Sequence, residues 1–195
     1  MDPVNILLGL SLIVSLGANY SGAKKGFKVA ISNVVLRPKT YLQQVPPTVS
    51  TIVLLLVIIG IFQIGTLKIE QGSPLYWTKI AGLIVFISFS FLQVKSFKSL
   101  GKSYSQDIVI VKNQELHTSG MYKFIRHPQY ICQILSDLGA AAAVVSYLAV
   151  PVVLILEIPL FILRAKEEEK ILEKHFKEDY TKYKKRSGFF IPFLG

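Results

Sequence analysis

Long apolar blocks separated by charged segments dominate the chain. The blocks cover about residues 4–20, 46–64 and 75–94, followed by a longer stretch at 130–163. A helix needs about 20 apolar residues to cross the ~30 Å hydrocarbon core of a bilayer. The first three blocks are close to that length, so each predicts a transmembrane helix.

The longest apolar stretch, residues 130–163, has one polar break, at Ser146 and Tyr147. Divided there, it gives two arms of about 17 residues, or roughly 25 Å of helix each. The pattern therefore predicts a short helical hairpin and five transmembrane helices in all. The expected fold class is all-α: a polytopic membrane protein with a cytoplasmic C-terminal helix.

The chain turns polar after the hairpin but keeps an apolar stripe. The stripe consists of Leu172, Phe176, Tyr180 and Tyr183. Spacings of four, four and three place these residues on one helical face, which predicts an amphipathic helix packed against membrane or protein. We expect Gly188 to end this helix and the apolar tail 189–193 to pack back onto the bundle.

The two halves of the sequence therefore predict different roles. Residues 1–99 hold three transmembrane helices without a polar cluster inside the spans, which is typical of a scaffold. Residues 100–195 hold a loop, the hairpin, the amphipathic helix and all three histidines. We expect the chemistry to lie in this second half.

Composition supports a membrane protein, because 51% hydrophobic residues and a mean hydropathy of +0.47 are unusual for a soluble domain. A secretory signal peptide is the other interpretation of the first block, but Met1, Asp2 and Pro3 do not form a basic leader. One cysteine, Cys132, excludes an internal disulfide and a multi-cysteine zinc site. We expect no metal.

Basic residues set the expected orientation. They crowd the first and third loops and the segment after residue 163, whereas the second loop offers only Lys68 and Lys79. Cytoplasmic loops accumulate Lys and Arg, so five spans predict an outside N-terminus and a cytoplasmic C-terminus. The membrane would be the cell membrane in a prokaryote or the endoplasmic reticulum in a eukaryote.

The net charge of +10 could also indicate nucleic-acid binding, with residues 184–186 as the basic patch. Orientation bias and attraction to anionic lipid account for the same residues without a further partner. We therefore expect a monomer in the lipid bilayer and no nucleic-acid partner.

Two acidic residues lie within the predicted hairpin arms. Asp137 and Glu157 are each ten residues from Tyr147, so an antiparallel hairpin brings them to a similar depth. An ionisable group there costs about 2.5–3.5 kcal/mol. Two interpretations stay open: the acids are protonated or bonded to neighbours such as Ser136, or they line a polar crevice between helices.

Two polar clusters flank the hairpin: residues 116–122 with 126–130, and residues 164–169. Pro128 suits the first turn of a helix, which would place Arg126 and His127 at a helix N-terminus that favours an anion. We therefore predict that both clusters meet at the mouth of the hairpin.

Each cluster also has a purely structural interpretation. Arg126 and Arg164 could be snorkelling anchors, and the glutamates could form a solvated helix start. Arg164 and Glu168 are four apart and share a helical face. Their position beside the first cluster favours a functional site.

Four motifs occur in order: L-x-T-x-G-x-Y from Leu116, R-H-P-x-Y from Arg126, R-x-x-x-E-E from Arg164, and E-x-x-L-x-x-x-F-x-x-x-Y-x-x-Y from Glu169. The set resembles the isoprenylcysteine carboxyl methyltransferase (ICMT) family and its phospholipid-methyltransferase relatives over about residues 100–193. The resemblance implies methyl transfer from S-adenosylmethionine, leaving S-adenosylhomocysteine, to the carboxylate of a C-terminal prenylated cysteine or a similar lipophilic acid. It also implies that the cofactor pocket is not of the Rossmann type. The chain agrees with this, because it lacks the G-x-G-x-x-G turn that opens such a nucleotide-binding unit.

The resemblance assigns roles by position. It places the cofactor among Gln114, Glu115, Leu116, His117, Tyr122, His127, Pro128, Gln129, Tyr130 and Glu168. It gives Arg164 the substrate carboxylate, held in a two-bond fork, and makes Arg164 and Glu168 the catalytic residues. A carboxylate is already ionised near pH 7, so positioning rather than a general base would supply the acceleration.

Three departures from the family pattern bear on substrate identity. Met121 stands where proline is common, and Cys132 and Lys177 stand where glycine is common. A phospholipid amine N-methyltransferase is the nearest alternative, and it would need a base such as His127 or Glu168. A non-enzymatic channel or transporter is the alternative of another class, with the two intramembrane acids as its ion path.

Overall fold

The computed structural model describes residues 2–32, 34–101 and 104–194, apart from the side chains of residues 21, 23 and 25–32. The elements are α1 (Pro3–Ser32), β1 (Val34–Leu36), α2 (Val45–Ile61), α3 (Tyr76–Leu100), β2 (Ile110–Val111), α4 (Pro128–Ala143), α5 (Ala149–Val152) and α6 (Ile158–Arg186). The mainly helical fold is confirmed. The short antiparallel pairing of β1 with β2 was not predicted.

Within the described residues, three helical segments are long and apolar enough to cross a membrane: Pro3–Tyr20, Tyr41–Ile61 and Tyr76–Ser99. They coincide with the first three predicted spans. α1 continues as helix well beyond the apolar block, whereas α4, with 16 residues, measures only about 24 Å. The total of five spans stays a prediction.

One end of the bundle gathers the start of α1, the end of α2, the start of α3 and the hairpin turn. The Lys79 ammonium lies 2.6 Å from the Asp2 carboxylate, and the Asn5 side chain donates to the Ile61 carbonyl. The Ser146 hydroxyl donates to the Gly65 carbonyl at 3.1 Å. Adjacent helices therefore alternate in direction, and the ends that flank the polar clusters lie together at the opposite end.

Two glycines allow α3 and α4 to touch along their backbones. A Cβ on Gly82 would lie 2.5 Å from the Ala143 nitrogen, and a Cβ on Gly139 would lie 2.6 Å from the Phe86 nitrogen. Small residues at such crossings are typical of helix packing inside membranes. This close contact fixes the direction in which α4 presents its polar residues.

The predicted break at Ser146 and Tyr147 is confirmed, because the chain turns between α4 and α5 there. The helix then widens into a single π-type turn, Val153–Glu157, before α6. Pro151 precedes this turn and Pro159 follows it. Each proline removes a backbone donor and crowds the preceding turn, which accounts for the local widening.

The tail after α6, which ends at Arg186, packs back only in part, because Phe189 and Phe190 are half-buried whereas Ile191, Pro192 and Phe193 are exposed. The Gly188 N–H donates to the Phe124 carbonyl, and the Arg126 N–H donates to the Gly188 carbonyl. Phe189 packs edge-on against the His127 ring. The tail therefore closes over the start of α4, and only its far end is exposed.

A side-chain clamp holds the loop between α3 and β2. The Gln43 amide donates to the Ile108 carbonyl at 2.9 Å and accepts from the Ile108 N–H at 2.8 Å. This clamp and the small sheet tie the loop to the segment that enters α2. The loop can thereby form one wall of the candidate site.

Candidate active site

A narrow cavity of about 100 Å³ lies where α4 begins and α6 leaves the bundle. Nine of the ten residues that the resemblance assigned to the cofactor line it: Gln114, Glu115, Leu116, His117, Tyr122, His127, Gln129, Tyr130 and Glu168. Pro128 is the exception, because it is buried as the first residue of α4. The two polar clusters therefore do meet.

Arg126 forms a buried ion pair with Glu169 instead of acting as an interfacial anchor. Its Nε lies 2.5 Å from the Glu169 carboxylate, and its side chain is only 2% exposed. Its guanidinium also donates to the Ser187 carbonyl. The pair therefore links the start of α4 to the middle and end of α6.

His127 lies between the two adjacent glutamates of α6. Its Nε2 is 3.3 Å from Glu169 and its Nδ1 is 3.7 Å from Glu168. Its ring stacks in parallel on Tyr130, whose hydroxyl donates to Glu168 at 2.8 Å. The Glu168 side chain keeps 33% exposure, so it still offers acceptor oxygens to the cavity.

Burial and charge act in opposite directions on Glu169. Burial by itself raises the pKa of this carboxyl, but hydrogen bonds from His127 and Arg126 and their charges outweigh it and lower the pKa to about 2. Glu169 is therefore an anion at neutral pH, and its carboxylate contacts three partners: Arg126, His127 and the Lys184 ammonium, which lies 3.3 Å away. Glu168 is the more accessible carboxylate of the two.

Arg164 is 3% exposed but has a different kind of environment. Its Nη1 donates to the Leu42 and Gln43 carbonyls at 2.6 and 2.9 Å, and its Nη2 donates to the Gln106 carbonyl. Its Nε donates to the Tyr130 hydroxyl at 3.1 Å. Four of the five guanidinium donors are thus used, all by uncharged groups.

A second and larger cavity, of about 850 Å³, adjoins the first. It runs between α1, α2 and α4, and its polar wall includes Arg164, Gln133 and Asp137. The two cavities share four lining residues: Gln106, Asp107, Gln129 and Tyr130. Tyr130 therefore stands at the boundary between a narrow polar pocket and a wide groove among the helices.

The two acids of the predicted hairpin arms do come together. Gln133 donates to the Asp137 carboxylate at 2.6 Å, and Ser50 donates to the Glu157 carboxylate at 2.6 Å. Asp137 and Glu157 lie near enough to interact electrostatically, and the second Glu157 carboxylate oxygen has no hydrogen-bond partner among the described residues. The structure thus supports both open interpretations in part, since the acids have polar partners and Asp137 also lines the larger cavity.

Sequence reasoning gave no role in the site to several residues. Glu169 was included in the cluster 164–169 and in a motif but was given no role of its own, although it carries the buried ion pair. Tyr104, Gln106 and Asp107 come from a loop with no recognisable pattern. The face of α6 expected to pack on membrane or protein contributes Leu172, Phe176, Tyr180 and Tyr183 to the narrow cavity, so its periodicity was the available signal.

Comparisons with known proteins agree with this picture. Residues 81–174 match the model of the isoprenylcysteine carboxyl methyltransferase (ICMT) family. A protein-S-isoprenylcysteine O-methyltransferase of Xenopus laevis is 27% identical over 138 residues, which cover 68% of this chain and 47% of that protein. The cobalt-zinc-cadmium resistance protein CzcN of Cupriavidus metallidurans is 40% identical over 86 residues, covering 43% of this chain and 38% of that protein.

The fold has a solved counterpart. The structure of the eukaryotic intramembrane Ras methyltransferase ICMT superposes with a TM-score of 0.68 at 21% identity, covering 100% of this chain and 69% of that one. The chain spans about half the length of the curated relative from Xenopus laevis. These matches confirm the resemblance drawn from the four motifs: the chain is an integral membrane protein, and its residues 81–174 match the ICMT family model.

Proposed function

We propose that this protein transfers the methyl group of S-adenosylmethionine to the carboxylate of a C-terminal prenylated cysteine or a similar lipophilic acid. The observation that carries the proposal is the junction at Tyr130. There a narrow polar pocket, suited to a soluble cofactor, adjoins a wide groove among apolar helices. Such a junction lets a water-soluble and a lipid-soluble reactant meet.

The narrow pocket offers groups that fit the methyl donor. Bound there, S-adenosylmethionine would supply a methyl group activated by a sulfonium. Glu168 presents accessible carboxylate oxygens for an ammonium, and the buried Tyr180 hydroxyl has no hydrogen-bond partner among the described residues. Since small-molecule sites usually measure ~300–1,000 Å³, the pocket must widen to admit the whole cofactor.

We assign the substrate carboxylate to Arg164, which lines the groove beside Tyr130. One of its five N–H donors has no partner among the described residues, and that donor can bind a carboxylate without other change. The two-bond fork expected from the sequence would need one carbonyl contact to open. A single charge-assisted bond is the arrangement that this geometry favours.

The residues at the junction then act by positioning. Arg164 orients an anion that is already a nucleophile, so no side chain has to remove a proton. Tyr130 donates to Glu168 and accepts from Arg164, which fixes the distance between the two proposed binding groups. Alignment of this kind contributes several kcal/mol to catalysis in favourable cases.

The larger cavity supplies a route for the lipid. α1 and α2 are joined at one end, where Asn5 contacts Ile61, and further along both helices line the cavity. We propose that the substrate enters between them from the cytoplasmic leaflet, in a protein with five spans, an outside N-terminus and a cytoplasmic C-terminus. A monomer would suffice, because every proposed contact comes from one chain.

The test uses the full chain in lipid nanodiscs with methyl-labelled S-adenosylmethionine. Incubation with a farnesylcysteine analogue should give label that is released as methanol by mild base, which identifies an ester. Phosphatidylethanolamine should remain unlabelled. Absence of base-labile product with any prenylated or fatty acid would contradict the proposal.

One observation favours a second candidate, an amine N-methyltransferase. The wall of the larger cavity carries Asp137, bonded to Gln133, and a carboxylate there would suit a cationic headgroup. Base-stable label on phosphatidylethanolamine, reduced in the Asp137→Asn variant, would establish that function instead.

A further inference from the structure

Tyr180 is a buried phenol whose hydroxyl has no hydrogen-bond partner among the described residues. The side chain is 1% exposed, and it lines the narrow cavity. A buried polar group without a partner is unfavourable by about 1–3 kcal/mol. A structure that keeps such a group beside a cavity indicates a partner that binds in the cavity.

The other phenols that line this cavity all have partners. The Tyr122 hydroxyl accepts from Ser96, the Tyr130 hydroxyl donates to Glu168, and the Tyr183 hydroxyl donates to the Tyr122 carbonyl at 2.6 Å. Tyr183 lies three residues beyond Tyr180 on the same helix, and the two rings are in contact. The unused hydroxyl is therefore particular to Tyr180.

The environment keeps the Tyr180 hydroxyl in its donor form. Burial raises the pKa of this phenol, and the carboxylates of Glu169 and Glu168 raise it further, against a smaller opposing effect of Arg126. The group is thus protonated at every physiological pH. It has a hydrogen to donate and needs an acceptor.

We propose that Tyr180 donates this hydrogen bond to an uncharged acceptor atom, a ribose oxygen or a purine nitrogen, in the nucleoside part of the methyl donor. The inference rests on the proposed function and extends it to a residue with no assigned role. Tyr180 then recognises the nucleoside, whereas Glu168 recognises the ammonium of the amino-acid part.

Two features of the pocket point to the nucleoside. The helical face that carries Tyr180 also presents Leu172 and Phe176 to the cavity, which suits a flat, largely apolar ring system. The nearby carboxylates of Glu168 and Glu169 would repel a carboxylate of the ligand at this place, and Arg126 cannot attract one because it is already paired with Glu169. An uncharged acceptor is thus the better match.

The experiment compares Tyr180→Phe with Tyr183→Phe, a matched control that removes the same atom from the same cavity. Isothermal titration calorimetry measures the binding of S-adenosylhomocysteine and of 5′-methylthioadenosine, which has the nucleoside but no amino-acid part. Tyr180→Phe should weaken both ligands about tenfold, the usual value of one hydrogen bond. Tyr183→Phe should change either affinity less than threefold.

Thermal unfolding without ligand should affect the two variants the other way round: Tyr183→Phe, which keeps its ligand affinity, should lose stability, and Tyr180→Phe should not. Tyr180→Phe removes an unpaired buried polar group, so its Tm should equal or exceed that of the wild type. Tyr183→Phe removes a made hydrogen bond and should lower the Tm. A merely structural role for Tyr180 would lower both its Tm and its affinity.

Three results would overturn the inference while leaving the proposed function in place. In the first, Tyr180→Phe leaves the affinity for S-adenosylhomocysteine unchanged. In the second, it lowers that affinity but leaves the affinity for 5′-methylthioadenosine unchanged. In the third, Tyr180→Phe and Tyr183→Phe lower the affinities equally. Wild-type protein that binds no S-adenosylhomocysteine would instead overturn the proposed function as well.

Discussion

Two buried arginines flank the candidate site, and their surroundings differ in one decisive respect. Arg126 is paired with the carboxylate of Glu169. Arg164 is held by three backbone carbonyls and a phenol, and no carboxylate lies within ion-pair distance of it among the described residues. The charge of Arg126 is neutralised by direct contact with a carboxylate, whereas Arg164 is held by dipoles and feels the carboxylates of Glu168 and Asp107 only from a distance.

The difference separates a structural role from a functional one. A paired guanidinium has no net charge to offer, and breaking the pair would leave a buried anion. A guanidinium held by carbonyls keeps its charge and gains from an incoming anion. The comparison therefore assigns folding to Arg126 and substrate binding to Arg164, although both follow similar helix-end patterns in the sequence.

The largest expected effect is on the fold, from Arg126→Ala. Removing the buried guanidinium leaves Glu169 with the longer contacts to His127 and Lys184, and breaking a buried ion pair typically lowers the free energy of unfolding by about 3–5 kcal/mol. Chemical denaturation in detergent micelles measures it. The double variant Arg126→Ala with Glu169→Ala should lose less than the sum of the single variants, and simple additivity would contradict the pairing.

The next largest effect is on turnover, from Arg164→Ala. We expect methyl transfer to fall at least about a hundredfold, because a charge-assisted contact to the substrate is lost. S-adenosylhomocysteine affinity, measured by calorimetry, should stay within threefold. Arg164→Lys should restore little of the methyl-transfer rate, since an ammonium cannot donate to several widely separated acceptors at once as the planar guanidinium does. Loss of cofactor binding with normal turnover would reverse our assignment.

Acid should destabilise the Arg126 region. The pKa of Glu169 lies near 2, below its ordinary value of 4.5, so the stabilisation is complete above about pH 5 and declines as the pH falls towards 2. Between pH 6 and pH 3 the loss from this group should be about 2 kcal/mol. A Glu169→Gln variant should lack that component of the pH dependence of Tm.

Glu168→Gln should weaken the cofactor rather than the fold. Removing the charge that receives the ammonium should reduce S-adenosylhomocysteine affinity about tenfold, as for a charge-assisted hydrogen bond. The matched control is Glu167→Gln, because Glu167 pairs with the exposed Lys170 and does not line the narrow cavity. Equal effects from the two variants would argue against a cofactor role for Glu168.

The smallest expected effect comes from the kink that carries Tyr180 and Tyr183 to the cavity. Lys177 has φ 46° and ψ −118° inside α6, a conformation that glycine adopts without strain. Lys177→Gly should therefore raise the free energy of unfolding by about 1 kcal/mol with activity retained. A loss of stability would mean that the kink is not strained.

Much of the architecture could be predicted, because spans and turns depend on local patterns. The three apolar blocks, the break at Ser146 and Tyr147, and the start of α4 at Pro128 follow from hydropathy and from proline geometry. The strands β1 and β2 could not be predicted, since three and two residues carry too little pattern. The continuation of α1 beyond residue 20 was not predicted, because the apolar block that marks the first span ends there.

The sequence by itself determined the membrane character, the helix boundaries near prolines and nine of the residues that line the narrow cavity, since these depend on composition, spacing and family motifs. Only the tertiary structure decided which charged side chains are paired inside the protein and which remain accessible to a ligand. Adjacent glutamates at 168 and 169 look equivalent in the chain, but α6 turns one towards Arg126 and the other towards the cavity. Burial and partner choice arise between distant segments, and no local pattern encodes them.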